Sequence, residues 1–132
     1  MSKAQLGVRL AACAVVILAA CGGDGGRSVD MQVAAEVEPS PPSVGATTVR
    51  LDLADAGGAP IAGADVSVEA NMSHAGMQPV FSDATEVAPG RYVASFEWTM
   101  AGDWFLLVTA TASDGTRRQG KVDVRAVRPA PR

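Results

Sequence analysis

Cysteine is nearly absent from this chain. Cys13 and Cys21 are the two it has, so residues 22–132 carry no thiol. That stretch cannot form a disulfide, bind metal through thiolate or use a cysteine nucleophile. Histidine is scarcer still. His74 is the single one, and no Ser or Cys nucleophile motif accompanies it, so no catalytic triad can be argued. Glu97 and Asp103 flank Trp98 and Trp104, but paired carboxylates need a cleft, and alternation points Glu97 outward. The expectation is therefore a non-enzyme. Basic residues are outnumbered, 11 Lys and Arg against 14 Asp and Glu, for a net charge of −3. An acidic chain without a basic stripe argues against a nucleic-acid partner. Convincing helical periodicity is missing after the first twenty residues. So is any apolar run long enough to span a bilayer, since Leu10–Ala20 is too short.

What is present begins with the N-terminus. Lys3 and Arg9 precede the apolar stretch Leu10–Ala20, the pattern of a secretory signal peptide over residues 1–20. The run Leu18-Ala19-Ala20-Cys21 resembles the lipobox of bacterial lipoproteins. The resemblance implies cleavage before Cys21 and acylation of its thiol and new amine by chains such as palmitate. Several acyl chains hold a protein on a membrane where one would be marginal. The expected location is the bacterial cell envelope. Gly22, where an Asp would favour inner-membrane retention, favours the periplasmic face of the outer membrane if the cell is Gram-negative. Loss of Lys3 and Arg9 leaves nine basic residues against fourteen acidic ones, a net charge of −5. That argues against adhesion to anionic membranes beyond the lipid anchor. Cys21 and the Gly-rich stretch after it, residues 21–30, read as a flexible tether. Residues 128–132, Arg-Pro-Ala-Pro-Arg, read as a disordered end. Residues 31–127 remain, enough for one domain with a modest core.

Strand signals recur through that domain, separated by Gly, Pro and Asp clusters. Met31–Glu38 alternates and stops at Pro39-Ser40-Pro41-Pro42, because proline cannot donate to a ladder. Thr47–Leu53 sets Val49, Leu51 and Leu53 against Arg50 and Asp52. Ala64–Met72 sets Val66, Val68, Ala70 and Met72 against Asp65, Ser67, Glu69 and Asn71. Val80–Val87 is weaker. Arg91–Trp98 puts Tyr92, Ala94, Phe96 and Trp98 on one side. Trp104–Ala112 is apolar on both faces and so belongs at the centre of a sheet. Arg117–Val127 is the last. About seven short, closely spaced strands predict an all-β fold, an immunoglobulin-like β-sandwich. Gly90-Arg91-Tyr92 can supply a tyrosine corner or an ordinary core tyrosine.

One segment is unusual for a turn: Asn71-Met72-Ser73-His74-Ala75-Gly76-Met77-Gln78-Pro79. Thioether sulfur is soft and imidazole borderline, a donor set suited to Cu(I) without thiolate. Met72 and His74 are two apart, so an extended backbone points them the same way. Gly76 lets the chain reverse and swing Met77 toward them. Antiparallel alternation also makes strands 64–72 and 91–98 run in one direction, which brings Met100 to the same end as a further thioether and Trp98 close by. The competing reading is packing: Met72 as the end of the core face, Met77 as a loop hydrophobe, His74 as an exposed turn residue and Trp98 as core.

The order Pro-Pro-Ser-Val-Gly, Asp-Ala-Gly-Gly-Ala-Pro-Ile-Ala-Gly-Ala-Asp-Val, Asn-Met-Ser-His-Ala-Gly-Met, Pro-Gly-Arg-Tyr and Met-Ala-Gly-Asp-Trp resembles the YtkA-like domain family, related to FixH, over residues 44–127. Ser73 stands where relatives often carry proline. The resemblance implies an immunoglobulin-like sandwich in the bacterial envelope. FixH-type relatives are associated with copper delivery to respiratory oxidases, although they carry a membrane helix rather than a lipid anchor. Two functions follow as expectations. The first is Cu(I) binding through Met72, His74 and Met77, with Met100 auxiliary, for copper trafficking or tolerance with a metal-trafficking partner. The second is a metal-free module that contacts another envelope protein through an adaptable Met-rich loop.

Overall fold

The computed structural model describes residues 29–132. Residues 1–20, read as a signal peptide, Cys21 and most of the stretch read as tether lie outside the described residues. The described chain forms eight strands: β1 (Val29–Asp30), β2 (Gln32–Glu38), β3 (Gly45–Ala54), β4 (Asp65–Met72), β5 (Val80–Ala88), β6 (Arg91–Trp98), β7 (Gly102–Thr111) and β8 (Arg117–Val127). Each of the seven expected strands is there, with ends within two residues of expectation. The eighth, β1, takes the last two residues of the stretch read as tether. Two residues carry no periodicity, so alternation could not reveal it.

The hydrogen-bonded order is β1-β8-β7-β4-β5-β6-β3-β2. All neighbours run antiparallel except β1, which lies parallel to β8. Two strand switches fold this ribbon into facing layers. The first half of β5 pairs with β4, and from Ala84 onward β5 pairs with β6. At the opposite side, Met31 separates β1 on the β8 edge from β2 on the β3 edge. Corners made by strands that change sheet are how sandwiches close. Met31 is buried at this crossing, and Gly120 of β8 sits so close to Val33 and the Met31 carbonyl that it has no room for a Cβ.

Alternation decides the core. Val49, Leu51 and Leu53 are buried while Arg50 and Asp52 between them are exposed. Val66, Val68, Ala70 and Met72 of β4 are buried in the same way, each beside its partner Ala110, Val108, Leu106 or Trp104 on the neighbouring β7. Each fully buried aliphatic side chain contributes about 1.5–3 kcal/mol. β7 has a partner on both sides, the central position its apolar character predicted. Its outward residues are only partly buried: Phe105 lies under Lys121, whose Nζ is 4.8 Å from the ring centroid.

Tyr92 is both core residue and corner. Its ring is fully buried, its hydroxyl donates to the Ile61 carbonyl at 2.8 Å, and it accepts from the Ala64 N–H at 3.2 Å. Burial raises its phenol above the ordinary value. The C-terminal segment departs from expectation at Arg128. Its N–H donates to Pro42 and its carbonyl accepts from Val44, both within 2.9 Å, so the backbone is held there because the proline-rich stretch after β2 has no other ladder partner.

Candidate functional site

Strands β2, β4, β6 and β8 all end at one end of the sandwich, as the antiparallel register requires. Two connections meet there. The β4–β5 loop carries His74 and Met77, and the three-residue link Thr99–Ala101, which carries Met100, crosses from one layer to the other. The same-end placement expected for Met72, His74, Met77, Trp98 and Met100 is thus what the topology produces.

Their surroundings differ. Met72 is the last residue of β4 on the inward face and only 7% exposed. Its Cε would be 3.2 Å from a Cβ on Gly102, and Gly102 sits at φ +134°. The absence of a side chain at Gly102 is what leaves room for the methionine. His74 is exposed, as are Met77 at 39% and Met100 at 46%. Gly76 at φ +84° reverses the loop between His74 and Met77. Three of the four candidate donors therefore face solvent, while the fourth forms the floor.

Backbone contacts hold this end together. The Ser73 N–H donates to the Asp103 carbonyl at 3.1 Å, which fixes the start of the loop on β7. Met72 is the register partner of Trp104, and the Trp104 Nε1–H donates to the Met100 carbonyl at 3.0 Å. The loop base and the interlayer link are thereby tied to one side chain. The Asp103 carboxylate accepts from the Ala126 N–H at 2.8 Å. It thus holds Ala126, a non-glycine residue at φ 55°, in the bulge that separates the Gly102–Val127 and Trp104–Val124 pairs. Ser73, Asp103, Trp104, Asp123 and Arg125 line a cleft of about 100 Å³ beside the loop base.

Trp98 is 1% exposed and packs edge-on between Phe96 and Trp104. Its place is in the core. Among the described residues its Nε1–H has no hydrogen-bond partner. Glu97 points outward as expected.

Chemically, no group of three or more His, Cys, Asp or Glu side chains among the described residues is placed to hold a metal ion. Oxygen-rich or imidazole-rich cages of the kind that suit harder cations are not formed there. The donors gathered at this end are thioethers with one imidazole.

Two surface features escaped the sequence reading. A groove of about 410 Å³ on the outer face of β4, β5, β7 and β8 is lined by Glu69, Phe81, Asp83, Leu107 and Arg117, among others, and Phe81 is 72% exposed. Alternation places Phe81 outward, but only the sheet order shows that Leu107 shares its groove. The second feature is charge segregation. Six of the eleven basic residues fall within residues 117–132, four of them on β8. Net charge averaged this cluster away; Arg117, Lys121 and Arg125 are exposed along with Asp123, which pairs with Lys121 at 3.6 Å, while Arg118 alternates to the opposite face.

Among solved structures, CopC from Methylosinus trichosporium OB3b is similar over 77% of this chain and 97% of its own, at 18% identity and a TM-score of 0.49. An engineered protein is similar over 76% of this chain and 20% of its own, at 18% identity and a TM-score of 0.43. Neither likeness bears on function. No curated protein is significantly similar. The YtkA-like family model matches residues 27–109, which takes in the first seven strands nearly complete and the whole Met/His loop. The chain belongs to the YtkA-like family.

Proposed function

We propose that this protein is a lipid-anchored, non-catalytic envelope protein that binds Cu(I) at the Met/His end of its sandwich, for copper trafficking or tolerance. The observation that carries the reading is the convergence of four soft or borderline donors on one end, with His74, Met77 and Met100 exposed to solvent. Cu(I) accepts two to four such ligands. Exposed donors on a short loop suit a cargo that is passed on, and the FixH-type relatives' association with copper delivery points the same way. Met72 serves as the buried floor of the site and reaches the metal only if its side chain swings away from Gly102.

The test is a Cu(I) competition titration against a colorimetric chelator under reducing conditions, on the leaderless chain from residue 22. A His74→Ala/Met77→Leu/Met100→Leu variant runs beside it. These three side chains are exposed, so the variant keeps its fold. One equivalent bound by the parent and lost by the variant supports the reading. No binding by the folded parent sinks it.

One observation favours the second reading, a metal-free contact with another envelope protein. The exposed Phe81, four residues after Met77 near the start of β5, lies in a groove on the outer face of the sheet. A partner that copurifies after chelation and is lost in Phe81→Ser would support that reading.

A further inference from the structure

The strand that leads back to Cys21 enters the sandwich from the end opposite the Met/His loop. β1 runs parallel to β8, with Val29 beside Arg118 and Asp30 beside Gln119. Arg118 pairs with Ala110, and Ala110 with Val66. The entry point is therefore level with Val66, while Met72 lies six residues further along β4. At about 3.3 Å per residue this is a separation of about 20 Å, before the loop itself is added. Because β1 and β8 are parallel, the N-terminal end of β1 at Val29 lies at the Arg117 end of the sheet, where the β7–β8 turn with Ser113 also lies.

Eight residue steps separate Cys21 from Val29, and four of the intervening residues are glycine. A Gly-rich chain of that length has a root-mean-square span of about 15 Å, and fully extended it reaches only about 28 Å. With Cys21 held at the bilayer, the Met/His end can meet the membrane head-on only if this tether is stretched nearly to its limit. An anchor at Cys21, at the ordinary span for eight residues, puts the β1 end nearer the bilayer than the Met/His end.

We infer that the Met/His end is the membrane-distal end of the anchored protein, presented to a water-soluble exchange partner rather than to a metal site inside the same membrane. The inference rests on the lipid-anchor part of the proposed function and not on copper binding.

The full chain, expressed in a bacterium that processes lipoproteins, is reconstituted into phosphatidylethanolamine/phosphatidylglycerol vesicles that contain a nitroxide-headgroup lipid. Ser73→Cys and Ser113→Cys each place one fluorophore on an exposed residue, at opposite ends. Processing removes Cys13 and acylates Cys21, so the wild-type protein takes no label. The expected result is flotation with the vesicles and quenching at position 113 that exceeds position 73 by about twofold or more, given the short reach of the tether. Flotation with equal or greater quenching at position 73 overturns the inference and leaves the anchor standing. Failure to float, or labelling of the wild type at Cys21, overturns the anchor and the inference with it.

Discussion

Trp98 and Trp104 meet edge-to-face with ring centroids 5.3 Å apart. They lie on β6 and β7, the strands joined by the link that bears Met100, so this contact binds the two layers directly beneath the candidate site. Such aromatic pairs contribute about 0.5–1.5 kcal/mol beyond their area burial. The two indoles are not equivalent. Trp104 donates to the Met100 carbonyl, whereas the Trp98 N–H has no partner among the described residues. Trp104→Phe therefore loses a hydrogen bond as well as packing, and Trp98→Phe loses packing alone. Urea unfolding should show Trp104→Phe to be the more destabilising by about 1 kcal/mol. Equal destabilisation would mean that the Met100 hydrogen bond contributes nothing.

Tyr92 gives a second test. The hydroxyl serves the Ile61 carbonyl and the Ala64 N–H together, so Tyr92→Phe removes a partner from both while the ring stays in place. The neighbouring Ala62 and Gly63 are exposed, so water reaches the abandoned groups and limits the loss. The expected cost is about 1–2 kcal/mol, read from urea midpoints with an unchanged slope. A cost near zero would reduce Tyr92 to an ordinary core ring.

The strand framework was readable because alternation is a local property: Val66 to Met72 states its buried face in four side chains. The shared end of β4 and β6 follows from the same arithmetic, whereas Gly90-Arg91-Tyr92 left a corner and an ordinary core tyrosine both open. What was hidden depends on contacts between distant segments. Nothing near Val29 signals its partner Arg118, and nothing near Gly120 signals Val33. The packing reading, with Met72 as the end of a core face and His74 as an exposed turn residue, separated two of the four candidate donors by exposure, and the structure agrees. Met72 extends a core face, and the structure keeps it there beside Gly102, while His74, Met77 and Met100 face solvent.

Gly120 makes the closure of the sandwich testable. A Cβ at this position would run into Val33 and lie 3.0 Å from the Met31 carbonyl. Gly120→Ala should push β2 away from β8 and destabilise the fold by about 1–3 kcal/mol, as overpacking does elsewhere. Val33→Ala removes the nearest obstacle and should recover part of that loss in the double variant. Additive effects in the double-variant cycle would show that the two residues do not oppose each other.

Acid stability has a local origin that can be isolated. The Glu86 carboxylate accepts from the Gly63 N–H at 2.9 Å. That bond, with a further contribution from the Tyr92 hydroxyl, holds its pKa below the ordinary glutamate value. A carboxylate depressed in the folded state contributes stability that is fully present above its unfolded pKa, about 4.3. The contribution fades as pH falls through the lower, folded value. Asp114, held down by the Thr116 N–H, behaves in the same direction. Urea midpoints followed from about pH 6 to about pH 3 should therefore fall less steeply in Glu86→Gln than in the parent. Some slope should survive in the variant through Asp114. Because Gly63 precedes β4 and Glu86 lies on β5, the lost bond loosens the β3–β4 connection at the end where β1 enters, not the Met/His end. Parallel midpoint curves for parent and variant would show that the Gly63 bond persists with a protonated carboxyl and carries no pH dependence.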